Sequence, residues 1–238
     1  MDRAALHRAP TPSPFPGEAT ANPRLLLDAP ATARYSEGAV TGPNPSLILA
    51  SASPRRQALL ESAGIAFETI PAQIAEEARP GEQPAQLVRR LAHDKAQAVA
   101  AQLAPDDPRW ILGSDTVVVL AGRILGKPRD PEHAVTLLQS LGGRTHRVLT
   151  GVAVLEPARG RSHVTHVESR VAMGSADEAC IRRYVAGGEP LDKAGAYALQ
   201  GEGRRFVKDV AGSRSNVIGL PLDETLALLQ AAGLPMPS

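Results

Sequence analysis

The chain has a single cysteine, Cys180, in 238 residues. That excludes an internal disulfide and any multi-cysteine zinc site, and it fits a reducing compartment. Aromatic residues make up 3% of the sequence and the formal net charge is +1, so neither base stacking nor bulk electrostatics points to a nucleic-acid partner. No apolar run reaches the roughly 18 residues of a membrane span. There is no GxGxxG, no GxxxxGK[ST] and no GxSxG, which removes the dinucleotide fingerprint, the P-loop and the serine-hydrolase elbow. What remains, with 43% hydrophobic residues, is an ordinary globular chain long enough for one large domain or two small ones.

Residues 1–45 are rich in proline, alanine and polar residues and show no lasting period. They are expected to be a disordered extension preceding a domain over 46–234.

The domain opens on Leu47 to Arg56, LILASASPRR. Four apolar residues predict a buried strand, a small-residue turn follows, and Ser53 and Pro54 suit the cap and first position of a helix. Arg55 and Arg56 then lie in the first turn, where the helix dipole disfavours cations by about 0.3–1 kcal/mol each. Either they are a solvated pair, or they converge with Ser51 and free N–H groups on a phosphate-like anion. A second strand is expected over 66–70, followed by an acidic loop that carries Glu76.

Residues 84–103 predict a helix whose apolar stripe includes Leu87, Leu91 and Val99. Lys95 falls in the middle of that stripe, as a functional cation or as a long stem snorkelling to water. Trp110 to Leu120, WILGSDTVVVL, reads as a buried strand interrupted by Gly113–Thr116. An ionised Asp115 there is costly unless paired or metal-bound. It is either a structural carboxylate on local backbone or, the reading favoured here, a catalytic or metal-binding group at the exposed end of a strand.

A hairpin through Ala121–Gly122 leads to Lys127, placed as a further phosphate-binding cation. The pattern then predicts a helix capped by Asp130, paired strands over 148–155 and 164–173, and a helix over 175–186 opened by a Ser175/Glu178 capping box. His146 is isolated from other candidate ligands and is read as structural. A glycine-bearing loop from Glu189 to Gly203 holds Lys193 and Gln200. Short strands are expected over 206–210 and 216–220, and a closing helix over 221–232.

A phosphate cradle, a buried carboxylate and several lysines fit hydrolysis or transfer at a polyphosphate. The motifs SASPRR (51–56), RLAHDKA around Lys95, GSDT (113–116), GKP (126–128), GEPLDKAGAYALQG (188–201) and GSRSNVIGLPL (212–222), all in order, resemble the Maf family of nucleoside triphosphate pyrophosphatases across about residues 46–233. The resemblance implies a Maf/ITPase-like α/β fold, with a mixed, strongly curved sheet flanked by helices and two lobes around a deep cleft. It implies metal-dependent hydrolysis of a nucleoside triphosphate to the monophosphate and pyrophosphate, with Mg²⁺ or Mn²⁺ as cofactor.

Carried over residue by residue, the resemblance gives Ser51, Arg55 and Arg56 a grip on the triphosphate, and Lys95 and Lys127 two further phosphate contacts. Asp115 matches the catalytic carboxylate and metal ligand, and Glu76 the second acidic ligand. Thr116, Lys193 and Gln200 mark the dTTP/UTP group, and the Gln200 amide suits the imide edge of uracil and thymine. Three positions depart from the family pattern: Ala75 stands where Asp is common, Met173 where an aromatic is, and Arg214 where Tyr is. The alternatives are a 7-methyl-GTP pyrophosphatase and a non-enzymatic nucleotide-binding regulator of septum formation. The expected protein is a cytoplasmic enzyme, with a homodimer as its assembly and no nucleic-acid or membrane partner.

Overall fold

A computed structural model describes residues 46–236; the extension expected over 1–45 lies outside the described residues. The first half of the chain supplies β1 (Leu47–Leu49), α1 (Pro54–Ser62), β2 (Glu68–Thr69), α2 (Pro84–Ala100), β3 (Trp110–Leu120), β4 (Arg123–Leu125) and α3 (Pro131–Leu141). The second supplies β5 (Thr145–Glu156), β6 (Arg161–Met173), α4 (Glu178–Ala186), β7 (Val207–Ala211), α5 (Arg214–Ile218) and α6 (Leu222–Ala232). The strands form one mixed, seven-stranded open sheet in the order β2-β1-β3-β5-β6-β7, with β4 on β3. β1 runs parallel to both its neighbours and every other pairing is antiparallel.

Apart from the strand expected over 216–220, the expected elements are present, with α2 ending at Ala100 and the β5–β6 hairpin longer at both ends than the apolar runs suggest. Four local readings are corrected. β3 is unbroken, and Asp115 lies in its interior and not at an exposed end. β5 pairs with it continuously from Ile111 to Val119. On the opposite edge β1 stops at Leu112 and β4 begins at Val118. That edge of β3 is therefore unpaired beside residues 113–117, and Asp115, 6% exposed, lines the cavity described below.

Residues 216–220 are not a strand. Ser213 caps α5 by accepting the Asn216 N–H, and Asn216 is fully buried, donating to the Val148 carbonyl (3.0 Å) and the Ser169 hydroxyl (2.9 Å). The cap of α4 is Asp177, whose side chain accepts from the Cys180 N–H, in place of the Ser175/Glu178 box. Ser53 occupies the α1 cap without a side-chain capping bond; its own N–H donates to Ser51 Oγ.

Two glycines bring α2 onto the sheet. A Cβ at Gly113 of β3 would fall on the Ala92 carbonyl oxygen of α2, and one at Gly151 of β5 on the Val88 carbonyl oxygen. Lacking side chains at both points, β3 and β5 let the helix backbone settle against them. This close approach brings Lys95 within reach of Asp115. Apolar packing divides around it: one cluster joins α3, α4 and the second half of β3 through residues such as Leu138, Tyr184 and Val118, and another joins β1, α1 and α6 through Leu47, Leu60 and Leu229. No helix among the described residues is long and apolar enough to cross a membrane.

Candidate active site

β1 ends where the Ala50 N–H donates to the Leu112 carbonyl (2.8 Å), and the chain turns through Ser51–Ser53 into α1. Arg56, in the first turn of that helix, points inward and is 9% exposed. Its Nε donates to the Gly219 carbonyl (2.8 Å), Nη1 to Ser51 Oγ (3.1 Å) and Nη2 to Thr116 Oγ1 (3.2 Å). One guanidinium thus ties the β1–α1 turn, β3 and the α5–α6 junction together. Burial lowers its pKa, Asp115 acts the other way, and the neighbouring Arg55 adds to the lowering; an arginine remains cationic through any such shift. No carboxylate pairs with it among the described residues. A buried cation satisfied only by neutral acceptors leaves positive potential for an incoming anion.

On the other face of β3 three charges meet. Lys95 Nζ lies 2.7 Å from Asp115 Oδ1 and 2.5 Å from Glu76 Oε1. The lysine on the apolar stripe is therefore paired, and the acidic loop, silent by composition, contributes one of its partners. Burial pushes the Glu76 carboxyl up, but the hydrogen bond and charge of Lys95, with Lys127 and Arg56 beyond, outweigh it and hold the group below its usual range. The Glu76 loop is itself clamped by Arg90 of α2, which bonds both Glu82 oxygens (2.7 and 2.8 Å) and the Glu77 carbonyl (3.0 Å).

The remaining candidates come from connections. Lys127 follows β4, is exposed, and makes no ion pair among the described residues. Arg55 reaches across to Asp192 at 3.4 Å. Lys193 donates to the Glu189 carbonyl (2.5 Å) and Asp192 Oδ1 (2.6 Å). Gln200 is exposed beside buried Leu199 and Tyr197. All ten residues singled out from the sequence line one cavity of about 370 Å³, walled on its apolar side by Val118, Val148, Leu199 and Val217. Thr116 is engaged by Arg56, by Thr150 Oγ1 (3.0 Å) and by the Gly219 carbonyl (3.4 Å), so its hydroxyl contributes to holding the guanidinium in place.

Sequence reasoning missed Arg90, Gly219 and Asn216. Arg90 stands one helical turn before Asp94 in the RLAHDKA stretch without any pattern to mark it. Gly219, with φ of +130°, could have been read from its place after a short apolar run as a backbone position that only glycine suits.

Residues 46–232 match the family described as Maf-like protein. The chain belongs to the Maf family. Among its curated Maf relatives, a dTTP/UTP pyrophosphatase of Anaeromyxobacter dehalogenans is 49% identical over 195 residues, 81% of this chain and 97% of that protein. One from a Geobacter species is 48% identical over 190 residues, 80% of this chain and 97% of that protein. One from Shigella boydii is 49% identical over 186 residues, 77% and 91% respectively. Among solved structures, the Ham1 protein of Staphylococcus aureus aligns with a TM-score of 0.43 and 15% identity over 78% of this chain and 98% of that one.

Proposed function

We propose that this Maf-family protein is a nucleoside triphosphate pyrophosphatase that hydrolyses dTTP and UTP to the monophosphate and pyrophosphate. The observation that carries the reading is Arg56: a buried guanidinium without a carboxylate partner, sharing a cavity with the Lys95–Asp115–Glu76 cluster. Its relatives' shared name, dTTP/UTP pyrophosphatase, supports the same chemistry and the pyrimidine preference.

In this reading Ser51, Arg55, Arg56 and Lys127 bind the triphosphate oxygens. Water attacks the α-phosphorus, the bond from that phosphorus to the bridging oxygen breaks, and pyrophosphate leaves with the electron pair. Negative charge grows on oxygens already anionic, and fixed cations in a partly buried site stabilise it without reorganising. Asp115 takes the proton of the attacking water at its carboxylate. Lys95 holds Asp115 and Glu76 in register through its two hydrogen bonds.

Among the described residues no cluster of three or more His, Cys, Asp or Glu could hold a metal ion. Two convergent carboxylates completed by substrate oxygens nevertheless suit a hard ion, since Mg²⁺ is commonly held by one or two carboxylates plus phosphates. Held by Glu76 and Asp115, Mg²⁺ or Mn²⁺ would acidify a bound water and offset phosphate charge. Gln200 would read the imide edge of the base, with Lys193 beside it in the same segment, while Thr116 holds the Arg56 guanidinium. We place the enzyme in the cytoplasm, in keeping with its one cysteine, and take a homodimer as its assembly, to be checked by light scattering.

The test is pyrophosphate release from dTTP, UTP, CTP, GTP and 7-methyl-GTP, with Mg²⁺, Mn²⁺ or EDTA, beside an Asp115→Asn variant. Metal-dependent release from dTTP and UTP that the variant loses is the expected result. Preference for 7-methyl-GTP would overturn the reading of Gln200, and no turnover of any nucleotide would overturn the enzyme.

A further inference from the structure

The segment between α4 and β7 carries Lys193 and Gln200 to the cavity, yet it contains no strand. It is built from short 3-10 turns at Glu189–Asp192, Ala194–Ala196 and Glu202–Phe206. Its internal backbone bonds are local, such as Lys193 N–H to the Pro190 carbonyl and Ala196 N–H to the Lys193 carbonyl. A glycine-bearing segment held only by such bonds would sample many conformations. The Gly195 N–H bond to the Gly126 carbonyl and the Arg55–Asp192 pair pin its middle, and one side chain joins its two ends.

Glu189 stands at the start of the segment and bonds its far end. Its Oε1 accepts from the Gly203 N–H (3.0 Å) and from the Tyr184 hydroxyl (3.0 Å), and its Oε2 from the Glu202 N–H (2.9 Å). Its main-chain carbonyl accepts from Lys193 Nζ. The surroundings are shaped to this carboxylate. Gly201 has φ of +86°, and a Cβ there would lie 2.7 Å from Glu189 Oε2; a Cβ at Gly203 would lie 2.6 Å from the Tyr184 hydroxyl oxygen. Tyr184 is 1% exposed and packs edge-on against Phe206 at 5.1 Å between ring centroids, so the donor is fixed in the core. Burial, then the charge of Glu189, push the Tyr184 phenol up, which keeps it a hydrogen-bond donor.

Glu189 does not line the cavity, so it acts through the side chains it holds in place. The phosphate-facing cations Arg55, Arg56, Lys95 and Lys127 come from α1, α2 and the turn after β4, none of which Glu189 touches; Arg55 meets the segment at Asp192 instead. We infer that Glu189 is a positioning residue for nucleobase selection: by closing the 189–203 segment it sets where Lys193 and Gln200 meet the base, leaving the phosphate chemistry to other elements. The inference rests on the pyrophosphatase reading for its substrate, but not for its effect on the segment.

The experiment compares full-length wild type with Glu189→Ala and Glu189→Gln by two readouts. In hydrogen exchange, the amides of Glu202 and Gly203 should exchange about 100-fold faster in Glu189→Ala, with α2 and β3 unchanged. Glu189→Gln, which keeps one acceptor oxygen but turns an NH₂ toward an N–H, should show a smaller rise. In steady-state kinetics, KM for dTTP should rise about tenfold and kcat fall less than about threefold in Glu189→Ala, so that the kcat/KM preference for dTTP over dATP shrinks about tenfold. Unchanged exchange at Glu202 and Gly203 would overturn the inference, as would an equal loss of kcat on every nucleotide at constant KM. If wild type hydrolyses no nucleotide, the pyrophosphatase reading fails and the exchange data alone decide the role of Glu189 in the segment. If Glu189→Ala exchanges throughout the chain, the fold is lost and Glu189→Gln decides.

Discussion

The Lys95 ammonium lies 2.7 Å from the Asp115 carboxylate, with both side chains 9% exposed, and this pair joins α2 to β3 on the floor of the cavity. Removing one partner of a buried ion pair leaves the other charged and desolvated, at a cost of about 3–5 kcal/mol. Lys95→Met should therefore lower stability by about that much in urea denaturation. Adding Asp115→Asn should restore part of it, giving a coupling of about 0.5–3 kcal/mol in the double-mutant cycle. Simple additivity of the two losses would show that the contact carries no mutual stabilisation.

The pair forms only because the helix lies close to the sheet. Gly113→Ala and Gly151→Ala each place a methyl group on a backbone carbonyl oxygen of α2, and neither Ala92 nor Val88 can swing its main chain aside without shifting the helix. Each should cost at least about 1–3 kcal/mol and reduce activity with it, since Lys95 would move away from Asp115. Gly126→Ala is the control, because a Cβ there meets nothing within 4 Å and φ is not positive; its melting temperature should match wild type. A Gly113→Ala variant as stable as the control would contradict the close-approach argument.

Much of this arrangement is legible in the sequence because it violates local preference. A lysine in an apolar stripe, a carboxylate in an apolar strand and two arginines at a helix N-terminus each ask for a partner, and all four residues line the cavity. Glu76 sends no such signal: an acid in a polar loop is unremarkable until Lys95 is seen beside it. Asn216 misleads, because NVIGL reads as a strand while its helix is decided by bonds to Val148 and Ser169, 68 and 47 residues away in sequence. Asp115 misleads in another way: a carboxylate in an apolar strand suggests a strand end, whereas β3 is unbroken and the carboxylate lines the cavity from the strand interior, paired with Lys95.

Arg90 shows how a residue with no sequence signature sets the site. Its forked bonds to Glu82 and the Glu77 carbonyl hold the loop beside Glu76. The Arg90 hydrogen bonds, against the opposing effect of burial, draw the Glu82 pKa from its ordinary 4.5 down to about 2. A depressed carboxyl pKa stabilises the fold above the ordinary value, and that contribution disappears as pH falls from about 4.5 toward about 2. Lysine cannot reproduce the bidentate geometry. Arg90→Lys should flatten this acid branch of the stability curve. Under the proposed chemistry it should also raise the Mn²⁺ concentration for half-maximal activity by about tenfold, with a smaller effect on nucleotide KM. Calorimetry against pH and a Mn²⁺ titration check the two arms, and an unchanged Mn²⁺ requirement would confine Arg90 to stability.

His146 supplies a second pH dependence, of the opposite charge type. It is 1% exposed, its Nε2 lies 2.7 Å from the hydroxyl of Tyr197, a residue that borders the cavity, and its Nδ1 has no partner among the described residues. Burial pushes its pKa from the ordinary 6.5 down to about 4. Between these values the unfolded chain binds a proton that the folded chain refuses, so stability falls as pH drops from about 6.5 to about 4 and levels off below. His146→Gln retains a hydrogen-bonding group for Tyr197 and removes the titration. Its melting temperature should decline less than that of wild type across this window, with the two curves parallel above it. In an NMR titration the His146 ring of wild type should remain neutral at pH 5. A ring that titrates near 6.5, or a variant whose acid branch keeps the wild-type slope there, would show that the buried imidazole is not the group resisting protonation.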